Sequence, residues 1–372
     1  MRILYSHRIQ SRDGQSVHLE EMVAAFRQAG HEVLVVGPGF YASSGFGAES
    51  NFIAALRRHL PAALAEIAEL SYNIPAWWRL RRQASMFRPD LIYERYNLYF
   101  LAGAWLARMR KIRYFVEVNS PLAEEREAHG GLRLRRIAHG AERAVWRQAD
   151  RVLAVSHVLA ARIEAAGVSA ARIGVTPNGV DLARFAGQPP RDPTRPPVLG
   201  FIGFVRPWHG LEAVIEAMGR HDQQLELIIA GEGPARDGLE KQAMAAGCAA
   251  RVRFIGLTAR DDVPHLLSRF DIALQPQSVD YASPLKLFEY MAAGCAIIAP
   301  DQPNIREIVE HGVTAWLFDP QDPGALWQAV ARLATDPALR QNLGRNAAAA
   351  ITTRDLTWAG NARRVVEWAE SR

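Results

Sequence analysis

The sequence predicts an α/β protein made of two doubly wound, Rossmann-like domains. Three observations carry that expectation. Short apolar runs alternate with amphipathic helical stretches along most of the chain, as in successive βα units. The alternation stops once, at the proline-rich segment GQPPRDPTRPP (187–197), and then restarts. The length of 372 residues accommodates two domains of ordinary size.

Taken in order, RILYS (2–6) is an expected strand, VHLEEMVAAFRQAG (17–30) an amphipathic helix closed by Gly30, and HEVLVVG (31–37) a second strand. DLIYE (90–94), YFVEV (114–118) and RVLAVS (151–156) follow as strands, each with a loop or helix after it. Residues 1–186 are therefore read as one domain. The prolines of 187–197 can continue neither a helix nor a central strand, so this segment is the expected linker. Beyond it, VLGFIG (198–203), LELIIAGEG (225–233), RVRFIG (251–256) and DIALQP (271–276) are strands. GLEAVIEAMGR (210–220), RDGLEKQAMAAG (236–247) and DDVPHLLSRF (261–270) are the helices among them. Residues 198–354 form the expected second domain, and 355–372 end in an amphipathic helix. Two such domains on a short linker leave a central cleft, toward which strand C-terminal ends and helix N-termini of both can face.

Composition narrows the class. Hydrophobic residues make up 49% and charged residues 22%, the balance of a globular protein. Cys248 and Cys295 have no metal-type spacing and no reason to pair, which reads as a reducing compartment. No apolar run approaches a membrane span, and MRILYSHRI lacks the apolar region of a signal peptide, so a cytoplasmic location is expected. Residues 1–186 hold 25 Lys and Arg against 17 Asp and Glu, a net of +8, and the remainder is net −3. A basic half attracts something anionic: a membrane, a nucleic acid or a phosphorylated substrate. Scattered arginines on solvated faces explain the same count.

The stretch DYASPLKLFEYMAAGCAIIAP (280–300) holds the most chemistry. Ser283 suits a helix N-cap and Pro284 the first helical position. Lys286 then falls in the first turn, where a cation opposes the helix dipole. An anion bound at the same end removes the conflict, because free N–H groups, dipole and ammonium converge on a phosphate. Glu289, three residues on, shares a face with Lys286 and suits a ribose diol. A plain surface pair of Lys286 with Glu289 accounts for both residues as well.

Other candidates follow strands. In IAGEGP (229–234), Gly231 and Gly233 permit close approach of a ligand, or simply make a tight turn. In FIGFVRPWHG (201–210), Gly203 lets the chain turn and Arg206 and His209 reach toward the cleft; stacking of Arg206 on Trp208 is the plainer account. Gly14, in SRDGQSVH (11–18), lets a loop approach a diphosphate. Glu94, Arg95, Glu117 and Asn119 end two strands and are expected to crowd one cleft edge. The chain contains no D-x-D, H-E-x-x-H, G-x-x-x-x-G-K-[ST] or G-x-S-x-G, so the chemistries tied to those motifs lose support.

The order of ADRVLAVSHVL, VTPNGVDLARF, GFIGFVRPWHGLEAVIEA, LIIAGEGP, VRFIGLTARDDVPHLLSRFDIALQP and SPLKLFEYMAAGCAIIAPDQPNIREIVEHGVTAWLF resembles the GT-B-fold glycosyltransferases of family 4, over nearly the whole chain. Those enzymes are retaining and use nucleotide sugars. Glu289 matches the second glutamate of the family's E-x7-E motif, but Tyr281 stands where the first belongs, beside Asp280. The motif's glycine and proline are replaced by Pro284 and Lys286. The family's two diphosphate cations fall at Phe204 and His209, and Arg206 and Lys286 are read as their replacements. The acceptor-side histidine corresponds to Asn119. A branch with SPxKxFEYMA and WHG is familiar in the family, so these changes are not read as loss of activity.

The resemblance implies sugar transfer from a UDP- or GDP-linked donor to a hydroxyl, with no metal and no cofactor required. Arg206 and Lys286 would meet the diphosphate and Glu289 the ribose. Gly231, Glu232 and Gly233 would lie near the nucleotide, with Ile255 and Gly256 at the base. Gly14, Gly203, His209, Asp280, Tyr281, Ser283, Pro284 and Leu285 complete the expected donor side. Asn119 is grouped with the catalytic residues, and Glu94, Arg95 and Glu117 with the acceptor side. The C-terminal helix would cross back to the first domain. IPAWWRLRRQASMFR (74–88) gathers Trp77, Trp78, Arg79, Arg81 and Arg82, and GLRLRRIAHG (131–140) adds Arg133, Arg135 and Arg136. Such helices suit an anionic membrane surface, or are packed helices with a charged outer face. A glycan or lipid-linked acceptor in cell-surface polysaccharide or glycolipid assembly is expected, on the inner face of the membrane, and no nucleic acid. The alternatives are a catalytically inert nucleotide-binding scaffold and, less well matched, a phosphorylase or epimerase.

Overall fold

The computed structural model describes residues 1–9, 14–38, 61–128, 130–189, 191–192, 195–221 and 225–371. The chain divides into two compact units. The first comprises Met1–Pro177 with Trp358–Arg372, the second Asn178–Thr357.

The first unit holds strands β1 (Arg2–Ser6), β2 (Glu32–Val36), β3 (Leu91–Arg95), β4 (Arg113–Val118), β5 (Arg151–Ala154) and β6 (Ile173–Val175). All pair in parallel, in the order β2-β1-β3-β4-β5-β6. Both faces of this sheet are covered. The helix Gly14–Gln28 packs with the C-terminal helix Trp358–Glu370 on one face, and the helix Ala102–Arg110 lies on the other. Residues Ile3 to Ser6 are consequently buried throughout, as strands between two helical layers must be.

The second unit repeats the plan with β7 (Val198–Ile202), β8 (Glu226–Ala230), β9 (Val252–Gly256), β10 (Ile272–Leu274), β11 (Ala296–Pro300) and β12 (Trp316–Phe318). Its parallel order is β12-β11-β10-β7-β8-β9. Leu199, Phe201, Leu227 and Ile229 point into one apolar cluster, whereas Val198, Ile228 and Ala230 point into another. That alternation separates the two faces of the sheet.

Three expectations change. The division falls at Pro177 and Asn178, ahead of the proline-rich segment. The backbone N–H of Asn178 donates to Ser283 Oγ at 3.0 Å, and Val180 is buried in the second unit's core. Arg191, inside the segment read as a linker, donates to the carbonyls of Leu267 (3.1 Å), Ala293 (2.8 Å) and Gly294 (2.8 Å). It is fastened to the second unit by closing helix ends that otherwise leave carbonyls unpaired. Gly14 is the first residue of a helix rather than part of a loop; the segment 10–13 before it lies outside the described residues. The strands β6 and β12, three residues each, were not expected.

Candidate functional site

In a doubly wound sheet the ligand site lies at the carboxyl ends of the strands where their order reverses. In the second unit that point is between β7 and β10. Their pairing is brief, Leu199 opposite Ile272 and Gly200 opposite Ala273. Past it the Tyr290 hydroxyl spans the two strands, accepting from the Ile202 N–H (3.1 Å) and donating to the Leu274 carbonyl (3.3 Å). Tyr290 sits on the helix Leu285–Ala292, which also carries Lys286 and Glu289.

That helix starts differently from the sequence expectation. Pro284 is its N-cap, with extended ψ, and Leu285 its half-buried first residue. Ser283 does not cap it. Its hydroxyl accepts from Asn178, and its carbonyl accepts from the Asn178 side chain. The preceding loop is held by Asn304, fully buried, whose Nδ2 donates to the carbonyls of Val279 (3.0 Å) and Ala282 (2.8 Å). Asp280 is exposed there and Tyr281 half-buried. The roles of Asn178, Asn304 and Tyr290 were missed, since each acts through contacts across the fold.

Lys286 is the unusual group. Its stem is partly accessible, but Nζ is enclosed and has no hydrogen-bond partner in the structure. The ammonium sits 4.0 Å from the centre of the Phe201 ring. A Cβ on Gly203 would come within 3.3 Å of Lys286 Cε and Nζ. Burial pulls the lysine down to about 7, against the opposing charge of Glu289, which is half-buried on the same helix. A cation–π contact offsets only part of that desolvation.

The loop after β7 closes over this point. The Arg206 guanidinium lies 4.6 Å from the Phe204 ring and 4.7 Å from the Trp208 ring, so the stacking reading holds. His209 Nδ1 accepts from the Arg206 N–H at 3.3 Å, and its ring lies 5.1 Å from that of Phe201. Burial, then the charges of Lys286 and Arg206, lower His209 to about 3, so the ring is neutral. Arg206, His209 and Lys286 are thereby brought into one electrostatic neighbourhood.

The glycines of IAGEGP serve the chain's own backbone. Gly231 has φ +134°, and a Cβ there would stand 1.9 Å from the Gly203 carbonyl oxygen. A Cβ on Gly233 would meet the Val205 oxygen at 2.2 Å. The close approach is thus between two loops, which is the tight-turn reading. Gly231 N–H also donates to the Gly256 carbonyl (2.7 Å) at the end of β9, next to the exposed Ile255. Glu232 is paired with Arg236, which also binds Glu240 at 2.8 Å.

In the first unit the order reverses between β1 and β3. Glu117 on β4 collects four partners. Its carboxylate accepts from Tyr93 Oη (2.6 Å), Arg95 Nη1 (2.6 Å) and Asn119 Nδ2 (2.6 Å), and lies 2.8 Å from His18 Nε2. Burial pushes this carboxyl up, but His18, Arg95 and the hydrogen bonds outweigh it and hold Glu117 well below the usual range. Asn119 is therefore a ligand of Glu117. Glu94 does not join them. Adjacent strand residues point to opposite faces, so Glu94 faces the helix Ala102–Arg110 and accepts from Ser6 Oγ (3.0 Å) and Tyr114 Oη (2.5 Å). A Cβ on Gly103, in that helix's first turn, would stand 1.9 Å from Glu94 Oε2. Burial raises Glu94 to about 7, against the two hydrogen bonds.

Two doubly wound units, each with buried ionisable groups at its switch point, define a two-domain α/β protein of the GT-B fold. Solved structures share that fold: Anabaena Alr3699/HepE, in complex with UDP and glucose, superposes with a TM-score of 0.76 at 21% identity, covering 100% of both chains. A sucrose-phosphate synthase from Thermosynechococcus elongatus gives 0.78 at 18%, over 99% of this chain and 98% of that one. Residues 12–184 match Glycosyltransferase Family 4, and residues 186–350 match Glycosyl transferases group 1. The chain belongs to the family 4 glycosyltransferases. Among curated relatives, an alpha-D-kanosaminyltransferase of Streptomyces kanamyceticus is 29% identical over 155 residues, 41% of this chain and 40% of that protein. A glycogen synthase of Mycobacterium tuberculosis is 28% identical over 278 residues, 73% of this chain and 66% of that protein. The chain thus spans between two fifths and two thirds of these relatives' length.

Proposed function

We propose that the protein is a retaining glycosyltransferase moving a hexosyl or N-acetylhexosaminyl group from a nucleoside-diphosphate sugar to a hydroxyl of a glycan or lipid-linked acceptor, in cell-surface polysaccharide or glycolipid assembly. The observation that carries this reading is the enclosed, unpartnered Lys286 Nζ at the β7/β10 switch point. Such a cation is costly in an empty site and favourable beside an anion.

The leaving diphosphate gains negative charge as the glycosidic bond breaks. Lys286, the N–H groups opening its helix and Arg206 supply preorganised positive potential for that charge. His209, neutral, adds hydrogen bonding without competing for the anion. Glu289 holds the ribose, and the second unit's Gly231–Gly256 contact keeps the nucleotide floor rigid. Glu117, with Arg95 and Asn119, serves the acceptor side. Removing one diphosphate cation is expected to cost roughly 2–4 kcal/mol of transition-state stabilisation.

The test is a thermal-shift series with UDP, GDP, ADP and their sugars on the native protein and on Lys286→Met. UDP is the first to try, given the nucleotide held by the Anabaena protein. The expected result is a rise in Tm with one nucleotide series, absent in the variant. No rise with any nucleotide sinks the donor reading. A rise with no consumption of donor sugar in the presence of acceptors favours an inert scaffold, for which Tyr281 in the motif is the supporting feature.

A further inference from the structure

The helices Asn73–Phe87 and Ala102–Arg110 of the first unit pack side by side, and Arg110 Nη2 donates to Ser85 Oγ at 3.0 Å. Their inner faces are small and aliphatic, with Leu80, Ala84, Leu106 and Ala107 buried. Their outer faces are not those of an ordinary solvated helix. Ile74 is 64% exposed, Trp78 59%, Met86 69%, Trp105 43% and Met109 48%. Arg79, Arg82, Arg108 and Arg110 are exposed among them. Neither helix contains an Asp or a Glu.

In water this surface leaves two indoles and three apolar side chains hydrated, and neither helix offers its exposed guanidinium groups a carboxylate. A bilayer relieves both: aliphatic groups enter the acyl boundary, tryptophans sit at headgroup level, and arginines meet anionic headgroups. Other basic groups do not belong to this face. Arg81 is half-buried over the rings of Trp77 (5.2 Å) and Trp78 (5.3 Å). Arg135, in the second basic stretch read from the sequence, is paired with Glu127 at 2.8 Å. The helix Ala102–Arg110 was not singled out from the sequence at all. It becomes part of the surface only because it packs beside Asn73–Phe87.

We propose that the joined outer faces of these two helices dock the protein on an anionic lipid bilayer. The inference does not depend on the reaction proposed above, because it uses none of the residues assigned to donor or acceptor.

Flotation of the full chain with vesicles of phosphatidylcholine, with and without phosphatidylglycerol, tests it. The wild type is expected to float with the anionic vesicles at low salt and to be released by high salt. The double variant Arg82→Glu/Arg108→Glu is expected to partition about tenfold less, or weaker still. Trp78→Ser and Trp105→Ser, on separate helices, should each weaken binding, with unchanged Tm showing that they fold. Equal partition to neutral and anionic vesicles overturns the proposal, as does charge reversal without effect. Self-association abolished by Trp78→Ser, with no flotation, also overturns it and assigns the face to a second copy. The nucleotide thermal shift of the same variants should be unaltered, so failure here and failure of the donor reading remain distinct.

Discussion

Lys286 holds its proton against its surroundings. Its value of about 7 lies below the ordinary 10.5, so the unfolded chain binds more protons between the two. This side chain's contribution to stability therefore rises with pH across that window. Lys286→Met, which keeps the length and removes the charge, is expected to raise stability by about 1–3 kcal/mol at neutral pH, read as a higher urea midpoint. A bound anion pulls the lysine's value back up, so nucleotide affinity should fall as pH climbs from about 7; titrations on either side of that pH check it. Glu117, whose value is also lowered, responds to pH in the same direction over a more acidic window. Its depressed carboxyl contributes stability above its unfolded value, and that contribution is lost as pH falls below it. Glu117→Gln leaves Arg95 without its buried counter-charge and should cost about 3–5 kcal/mol, a gap that narrows in acid. Lys286 was legible in the sequence because a cation in a first helical turn is anomalous by local rules. Of Glu117's four partners, Arg95 and Asn119 were legible as neighbours at the strand ends, whereas Tyr93 and His18 were not, since nothing in their local sequence marks them.

At the scale of elements, the strands β1–β5 and β7–β10 follow from apolar runs bounded by turns, and the structure keeps them. What periodicity could not supply is how the elements are tied. Tyr290 reads as one more apolar residue in LKLFEYMA, yet its hydroxyl bridges β7 and β10 where they part. Tyr290→Phe leaves the part-buried Ile202 N–H without its partner, and a loss of about 1 kcal/mol is expected, with weaker nucleotide binding because Lys286 shares that helix. Gly103 reads as a weak point in a helix, and Ala there should help by propensity. The structure predicts the reverse, since a Cβ would strike the Glu94 carboxylate. Gly103→Ala should destabilise, and the loss should shrink in a Glu94→Ala background; a double-mutant cycle by denaturation measures the coupling. Ser283 shows the same limit from the other side. Its local grammar says N-cap, but a long-range bond from Asn178 claims the hydroxyl first.

For the whole molecule, the number of units and their α/β class were legible from one break in the βα alternation, but the boundary was not. Proline marks where regular structure cannot continue, which is different from where contacts cease. Arg191 holds its proline-rich surroundings to the second unit, and the division lies earlier, at Pro177. The first unit is also discontinuous: its sheet is formed by residues before Pro177, and a helix packed on it comes from Trp358 onward. A chain ended after Thr357 should therefore lose amide-exchange protection across β1–β6 while β7–β12 keep theirs.

That discontinuity also sets an order of events during synthesis. A ribosome makes all of β7–β12 before it makes the helix that covers the first sheet, so the second unit can complete its core while the first still waits with an apolar face uncovered. A nascent chain stalled in the second unit is left with its earlier half unfinished and visible to chaperones and proteases. Only a chain translated through both units can present a finished first one, so the fold itself couples maturation of the earlier half to faithful production of the later.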